Sequence, residues 1–167
     1  VDQNGDGLIN DSDKRIFNNP NPDYLFGLSS YMTFYENWDF SFTMRASLGN
    51  YVYNNVASAN GVYAGVWELN SLRNAHSSLL DTDFREQQFW SDYYVQDASF
   101  LRMDNVALGY SFSNLNEGNT RLRLYTTVQN VFVVTPYEGL DPEINGGIDN
   151  NFYPRPRTFL VGLNLNF

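Results

Sequence analysis

Side-chain alternation with a period of two, held over long stretches, limits this chain more than any other feature. Phe40, Phe42, Met44, Ala46 and Leu48 fall on one face of a segment, and Asp39, Ser41, Thr43, Arg45 and Ser47 fall on the other. At the C-terminal end Phe159, Val161, Leu163, Leu165 and Phe167 alternate with Thr158, Leu160, Gly162, Asn164 and Asn166. Successive side chains of a strand point to opposite faces, so each face here carries one chemistry. The same pattern sets Tyr24, Phe26, Leu28, Met32 and Phe34 against Gly27, Ser29, Tyr31, Thr33 and Tyr35. It recurs for Val106, Leu108, Tyr110 and Phe112, and again for Leu122, Leu124, Val128 and Phe132. Five strands follow, at about 24–35, 39–53, 98–113, 120–134 and 157–167. Each is long beside the ~5–6 residues of an ordinary strand.

The connections alternate as well. Glu36-Asn37-Trp38 and the stretch from Ser113 to Thr120 are short, whereas 54–97 and 135–156 are long. Short turns at one end and long loops at the other describe an antiparallel transmembrane β-barrel, with the loops extracellular. A tilted strand crosses a bilayer in ~9–11 residues, a length all five segments reach. Aromatics gather where strands would meet the interfaces: Phe34, Trp38, Phe40, Phe112 and Phe167 near the turns, Tyr24, Tyr51 and Tyr53 near the loops. A soluble β-sandwich also alternates and stays open as the competing class. Bacterial single-chain barrels use even strand numbers, so five strands read as a segment of a barrel. Residues 66–92 lack alternation and read as loop with helical pieces.

Composition agrees with a surface that meets lipid: charged residues make up 17% of the chain, as do aromatics, where soluble domains average about 25% charged. A net charge of −9 argues against a nucleic-acid partner. There is no cysteine, hence no disulfide or thiolate chemistry. No apolar run approaches the ~18 residues of a transmembrane helix. Val1-Asp2-Gln3-Asn4 has no signal-peptide character, so the expectation is that the front of the chain is missing or that it is not exported.

Residues 2–13 read Asp-Gln-Asn-Gly-Asp-Gly-Leu-Ile-Asn-Asp-Ser-Asp. A calcium loop of 12 residues takes oxygen ligands at positions 1, 3, 5, 7, 9 and 12, with glycine at 6. Those positions are Asp2, Asn4, Asp6, the Leu8 carbonyl, Asn10 (directly or through water) and Asp13, with Gly7 at the bend and Ile9 tucked inward. Hard oxygen donors suit Ca²⁺, in a structural role that orders the loop ahead of the first strand. Asp13 stands where glutamate is usual, which is closer to dockerin-type loops. An Asp/Asn/Gly turn without metal is the plainer alternative.

Several segments together resemble the C-terminal part of SusC/RagA-type TonB-dependent outer-membrane transporters over essentially the whole chain. They are the 2–10 loop followed by Asn19-Pro-Asn-Pro-Asp23, then Asp97-Ala-Ser-Phe-Leu-Arg102, Asn105-Val-Ala-Leu-Gly-Tyr110 and Val128-Gln-Asn-Val-Phe132. The most specific are Gly139-Leu-Asp-Pro-Glu143, Tyr153-Pro-Arg-Pro-Arg-Thr-Phe159 and the closing strand to Phe167. The resemblance implies that this is the C-terminal five-strand segment of a larger TonB-dependent barrel in the outer membrane of a Gram-negative bacterium. It implies the remaining barrel strands and a plug elsewhere in the same transporter, a SusD-like surface lipoprotein, and energy from TonB–ExbB–ExbD. Phe167 resembles the terminal signal read by the barrel-assembly machinery. Substrates in such a family are usually oligosaccharides, sometimes peptides.

No arrangement points to catalysis. His76 reads as a solvent-exposed loop histidine, and the carboxylates of 81–97 and 138–149 by default as a solvated rim, the alternatives being pairing with Arg85, Arg102, Arg155 and Arg157 or contact with the lipoprotein partner. Tyr63, Trp67, Trp90, Tyr93 and Tyr94 either pack the loop or stack on sugar rings. Arg45, Asn105, Arg123, Tyr125, Thr127, Gln129, Asn164 and Asn166 would line the lumen or contact the plug. The reading is nutrient import with residues 1–22 as calcium-like loop and strand entry and 23–167 as barrel strands. The alternatives are a secreted calcium-dependent carbohydrate-binding β-domain and a passive porin-like channel. With two open sheet edges and a lipid face, the segment alone is expected to be unstable in water.

Overall fold

The computed structural model describes residues 2–8, 10–68, 71–72, 74–112, 120–150 and 153–167. The elements in chain order are β1 (Tyr24–Phe34), β2 (Trp38–Leu48), β3 (Tyr51–Asn54), α1 (Asn55–Asn60), β4 (Trp67–Glu68), β5 (Ser71–Leu72), α2 (Leu79–Thr82), β6 (Val95–Asp97), β7 (Phe100–Phe112), β8 (Arg121–Val134), β9 (Ile148–Asp149) and β10 (Thr158–Asn166). Five long strands form one sheet in the order β1-β2-β7-β8-β10, every neighbouring pair antiparallel. The sheet is open: β1 and β10 each keep one edge unpaired. That is an unclosed piece of a β-barrel wall.

Register carries the alternation across the whole sheet. Asp39, Gly109 and Tyr125 lie in one row, as do Thr43, Asn105 and Gln129, so polar residues share a face. The other face is apolar and open. Phe26 and Leu28 of β1, Leu108 of β7, Leu124 of β8 and Phe159, Val161 and Leu163 of β10 are all exposed. At the turn end of this face Phe34 stacks on Trp38 at 6.2 Å, Trp38 meets Tyr110 at 4.8 Å, and Tyr110 meets Phe112 at 4.6 Å. Water penalises such an exposed face at about 25 cal/mol per Å² of apolar area, whereas lipid tails do not.

The buried core lies elsewhere, in a cap at the end where the long connections gather. Val52, Ala98 and Tyr137 form one cluster, and Tyr53, Ala57 and Tyr94 another. A small sheet in the order β6-β3-β9 holds the cap, with β3 and β9 parallel. The expected strand 39–53 is therefore two: the long sheet loses it at Leu48. Gly49 has φ +84, and a Cβ there would strike the Asp23 carboxylate. Ser47 Oγ donates to Asn50 Oδ1 at 2.9 Å, and Asn50 Nδ2 donates to the Ala98 carbonyl at 3.0 Å, which fixes the new direction. Tyr51 and Tyr53 follow into the cap, where Tyr53 is buried, so Tyr53 is no interface aromatic. The expected loops 54–97 and 135–156 likewise contain packed elements, and the first turn is Tyr35–Asn37, with Trp38 already in β2. The expected turn at 113–119 and the inward side chain of Ile9 lie outside the described residues.

The alternation changes phase once. Between Met103 and Asn105 the pairing of β7 shifts against both neighbours, and Asp104 is the extra residue. On β8 the partner irregularity is Asn130, with φ +52. Asparagine tolerates this left-handed geometry better than most side chains. The bulge keeps Phe100 and Arg102 on the polar face with Arg45 and Ser47. Farther along the same face Arg123 reaches over β7 to Asp39, with Nε to Oδ1 at 2.9 Å and Nη2 to Oδ2 at 2.6 Å. Gly109 lies beneath that bridge, and a Cβ there would collide with both partners. Gly109→Val in the full-length protein is expected to destabilise the barrel by ~1–3 kcal/mol. The check is the temperature at which the folded band is lost on a denaturing gel; an unchanged temperature refutes the assignment.

Candidate functional site

The bulge assembles a charged cluster on the polar face, where the sheet meets the cap. Arg45 from β2 donates Nε to Asp104 Oδ2 at 2.8 Å and grips Glu143 with both terminal nitrogens, Nη2 to Oε2 at 2.8 Å. Arg102 from β7 is 1% exposed. It donates Nη2 to Asp141 Oδ1 at 2.6 Å and Nη1 to Asn130 Oδ1 at 2.7 Å, with Nε 3.4 Å from Glu143. Arg155, on the far limb of the 135–156 connection, reaches Glu143 Oε2 at 2.6 Å. One carboxylate thus ties two barrel strands and both limbs of the 135–156 connection. Asn130 completes the tie by donating Nδ2 to the Arg155 carbonyl at 2.6 Å.

Burial alone would raise the Glu143 carboxyl, but the guanidinium of Arg45, with the charges of Arg155 and Arg102, holds it below the usual range. These pairs correct the expectation of a solvated rim for Asp141 and Glu143. The sequence paired Arg102 and Arg155 with this stretch in principle but missed Arg45 and Asp104, whose meeting depends on the bulge. Elsewhere, Tyr137 Oη donates to Asp149 Oδ2 at 2.7 Å, and burial pushes that phenol well above its ordinary value. His76 is half-buried, its backbone N–H on the Asn60 carbonyl at 2.8 Å and its Nδ1 2.9 Å from Ser78 Oγ. It is not the free loop histidine expected.

The N-terminal loop is built of side chains folding back on backbone amides. Asp2 accepts from the Gly5 and Gly7 N–H groups at 2.6 and 2.8 Å, Asn4 from Asp6 at 2.9 Å, and Asp6 from Leu8 at 2.8 Å. Asp13 accepts from Gln3 and Asn10 at 2.7 and 2.8 Å, while Asn10 accepts from Ser12 at 2.8 Å. Amide donors hold the carboxyls of Asp2 and Asp13 below the ordinary range, so both are anionic. Gly5 and Gly7 have φ of +76 and +80, which lets the chain coil around these oxygens. The donors Asp2, Asn4, Asp6, the Leu8 carbonyl, Asn10 and Asp13 fit a hard cation in kind and order. Among the described residues, however, no three His, Cys, Asp or Glu side chains converge on a point. Past this loop Tyr51 donates its N–H to the Asn19 carbonyl at 3.0 Å, which places the strand entry at the cap end.

No family model matches the chain. It is 47% identical over 174 aligned residues to the TonB-dependent receptor SusC of Bacteroides thetaiotaomicron, covering all of this chain and 17% of that receptor. The chain belongs to the SusC/RagA type of TonB-dependent receptors. It is also 31% identical over 190 residues to the TonB-dependent receptor P3 of Formosa agariphila, again across the whole chain and 18% of the receptor. Structures of the RagAB peptide transporter share its fold, with a TM-score of 0.77 and 23% identity over 95% of this chain and 19% of theirs. The chain thus spans under a fifth of the receptors it matches, and its open sheet is the corresponding stretch of a barrel wall.

In this receptor segment Glu143 should behave as a pH-sensitive tie. Its carboxyl is depressed, so its contribution is complete above the ordinary glutamate value of ~4.3 and is lost as pH falls through the lowered value. A spin label at Leu140, an exposed site on the same connection, is expected to be immobile at neutral pH and mobile in strong acid. Glu143→Gln should make it mobile at neutral pH. Equal mobility in both proteins at every pH would remove Glu143 from this role.

Proposed function

We propose that the receptor to which this stretch belongs imports an oligosaccharide across the outer membrane of a Gram-negative bacterium. The observation that carries the reading is the two-faced sheet: one face is fit for lipid, the other holds polar groups and paired charges fit for a watery or plugged lumen. The identity to SusC supports an import role of this kind. A secreted soluble β-domain would have to expose the apolar face to water, and it is the weaker reading for that reason. In the proposed arrangement the cap faces outward, a SusD-like lipoprotein closes over it, and the remaining strands and plug complete the pore. Energy reaches the pore from TonB–ExbB–ExbD, and Phe167 serves the barrel-assembly machinery. No catalytic step is part of the proposal.

A peptide cargo is the second reading, suggested by likeness of fold to the RagAB peptide importer. Uptake by cells producing the full-length receptor separates these readings. Labelled oligosaccharide is expected to accumulate only with the receptor and an intact TonB, and a protonophore should abolish accumulation. Uptake that survives loss of TonB indicates a passive channel; uptake of peptide in place of sugar moves the substrate class.

Calcium in the 2–13 loop belongs to the same proposal. Asp2, Asn4, Asp6, Asn10 and Asp13 with the Leu8 carbonyl would hold the ion, which would add charge neutralisation to a loop that amide contacts bend. Adding Ca²⁺ to chelator-treated full-length receptor is expected to slow proteolysis between residues 2 and 13, and Asp6→Ala should remove that protection. Protease sensitivity that ignores calcium in the unaltered receptor disproves the site.

A further inference from the structure

A cleft opens inside the cap between α2, the 92–97 stretch and the start of the 138–149 connection. Its volume is about 310 Å³, and a smaller cavity of about 140 Å³ adjoins it, His76 and Glu138 lining both. The larger volume lies at the low end of the ~300–1,000 Å³ typical of small-molecule sites. Tyr93 supplies an aromatic wall: half exposed, it is braced edge-on by Tyr94 at 5.0 Å and by Phe84 at 6.1 Å.

The polar groups in this cleft are incompletely matched by the protein. Tyr94 is 1% exposed, and among the described residues its hydroxyl, though beside Ser78, meets no partner at hydrogen-bonding geometry. Burial raises that phenol, so it keeps its proton and remains a donor. A buried polar group left without a partner is costly and uncommon. Glu138 uses Oε2 to accept from Gln96 Nε2 at 3.0 Å, which leaves Oε1. Asp81 lines the same cleft and carries no ion pair among the described residues. His76 Nδ1 accepts the Ser78 N–H at 3.2 Å, so in the neutral ring the proton sits on Nε2 as a further donor.

The chemistry narrows the occupant. Among the described residues no lysine or arginine lines the cleft, which disfavours an anion. Three carboxylate or histidine groups do not converge, which disfavours a metal ion among the described residues. An ammonium or guanidinium group brings donors only and leaves the Tyr94 and His76 protons without acceptors. A sugar ring brings hydroxyls that both donate and accept, and apolar C–H faces that pack on a phenol ring. We propose that this cleft is a subsite for one sugar ring of the imported oligosaccharide, with Tyr93 as its stacking face. Asp81 and Glu138 accept from ring hydroxyls, and Tyr94 donates to one. The proposal rests on the oligosaccharide reading above.

The test uses the full-length receptor with its lipoprotein, purified in detergent. Calorimetry measures binding of neutral gluco-, manno- and galacto-oligosaccharides and, in a separate arm, of a basic hexapeptide. Tyr94→Phe and Glu138→Gln preserve shape, and Tyr93→Ala removes the stacking face; each is expected to weaken the best-bound oligosaccharide about tenfold. Tyr153→Ala, at an exposed residue outside the cleft, should leave binding unchanged. Unaltered affinity in all three cleft variants, with oligosaccharide still bound by the parent, overturns the subsite while the substrate reading stands. A parent receptor that binds no oligosaccharide overturns both. Peptide binding that Glu138→Gln weakens assigns the cleft to a cationic side chain and overturns the sugar assignment.

Discussion

The carboxylate of Glu143, held by Arg45, Arg102 and Arg155, is the contact on which the relation between barrel wall and cap depends. Ions removed from water lose much solvation, and one such pair alone does little for stability. Here the arrangement is a network: Arg102 is almost wholly enclosed and satisfies Asp141 and Asn130 as well as facing Glu143. Removing any member leaves the others as uncompensated charge in a confined place. That cost makes the geometry specific, and the 135–156 connection has one seat on the wall.

The seat exists because of a single irregularity. Without Asp104 as an inserted residue, β7 would keep strict alternation and present either Asn105 or Arg102 to the polar face, not both. The bulge lets the lower part of the strand serve one row of neighbours and the upper part another. Asn130 absorbs the matching distortion in β8 and then uses its side chain to hold both Arg102 and the backbone of Arg155. A backbone device and a charge network are therefore one construction.

The five long strands were legible in the sequence because alternation is a local property, set within each segment by which side chains are apolar and which polar. The polar set, Arg45, Asn105, Arg123 and Gln129 among them, followed from the same rule and shares a face in the sheet. What the sequence hid was tertiary. The break at Gly49 follows from a contact with Asp23, and the two residues of β9 have no pattern of their own and become a strand only beside β3. The partnership of Arg45 with Glu143, 98 residues away, has no spacing to announce it. In the N-terminal loop the order of oxygen-bearing side chains was plain, and the structure adds the amides they engage.

The parallel pairing of β3 with β9 carries a consequence for the order of events during biogenesis. Asn55 and Asn150, at the ends of these strands, are linked across 95 residues, and closing a loop of that size is slow beside hairpin formation. The hairpin of β1 and β2 can zip first, but β3 gains its parallel neighbour only once β9, which follows β7 and β8 in the sequence, has been delivered. Among the described residues only β10 of the five wall strands follows β9, so cap and wall reach their final form together.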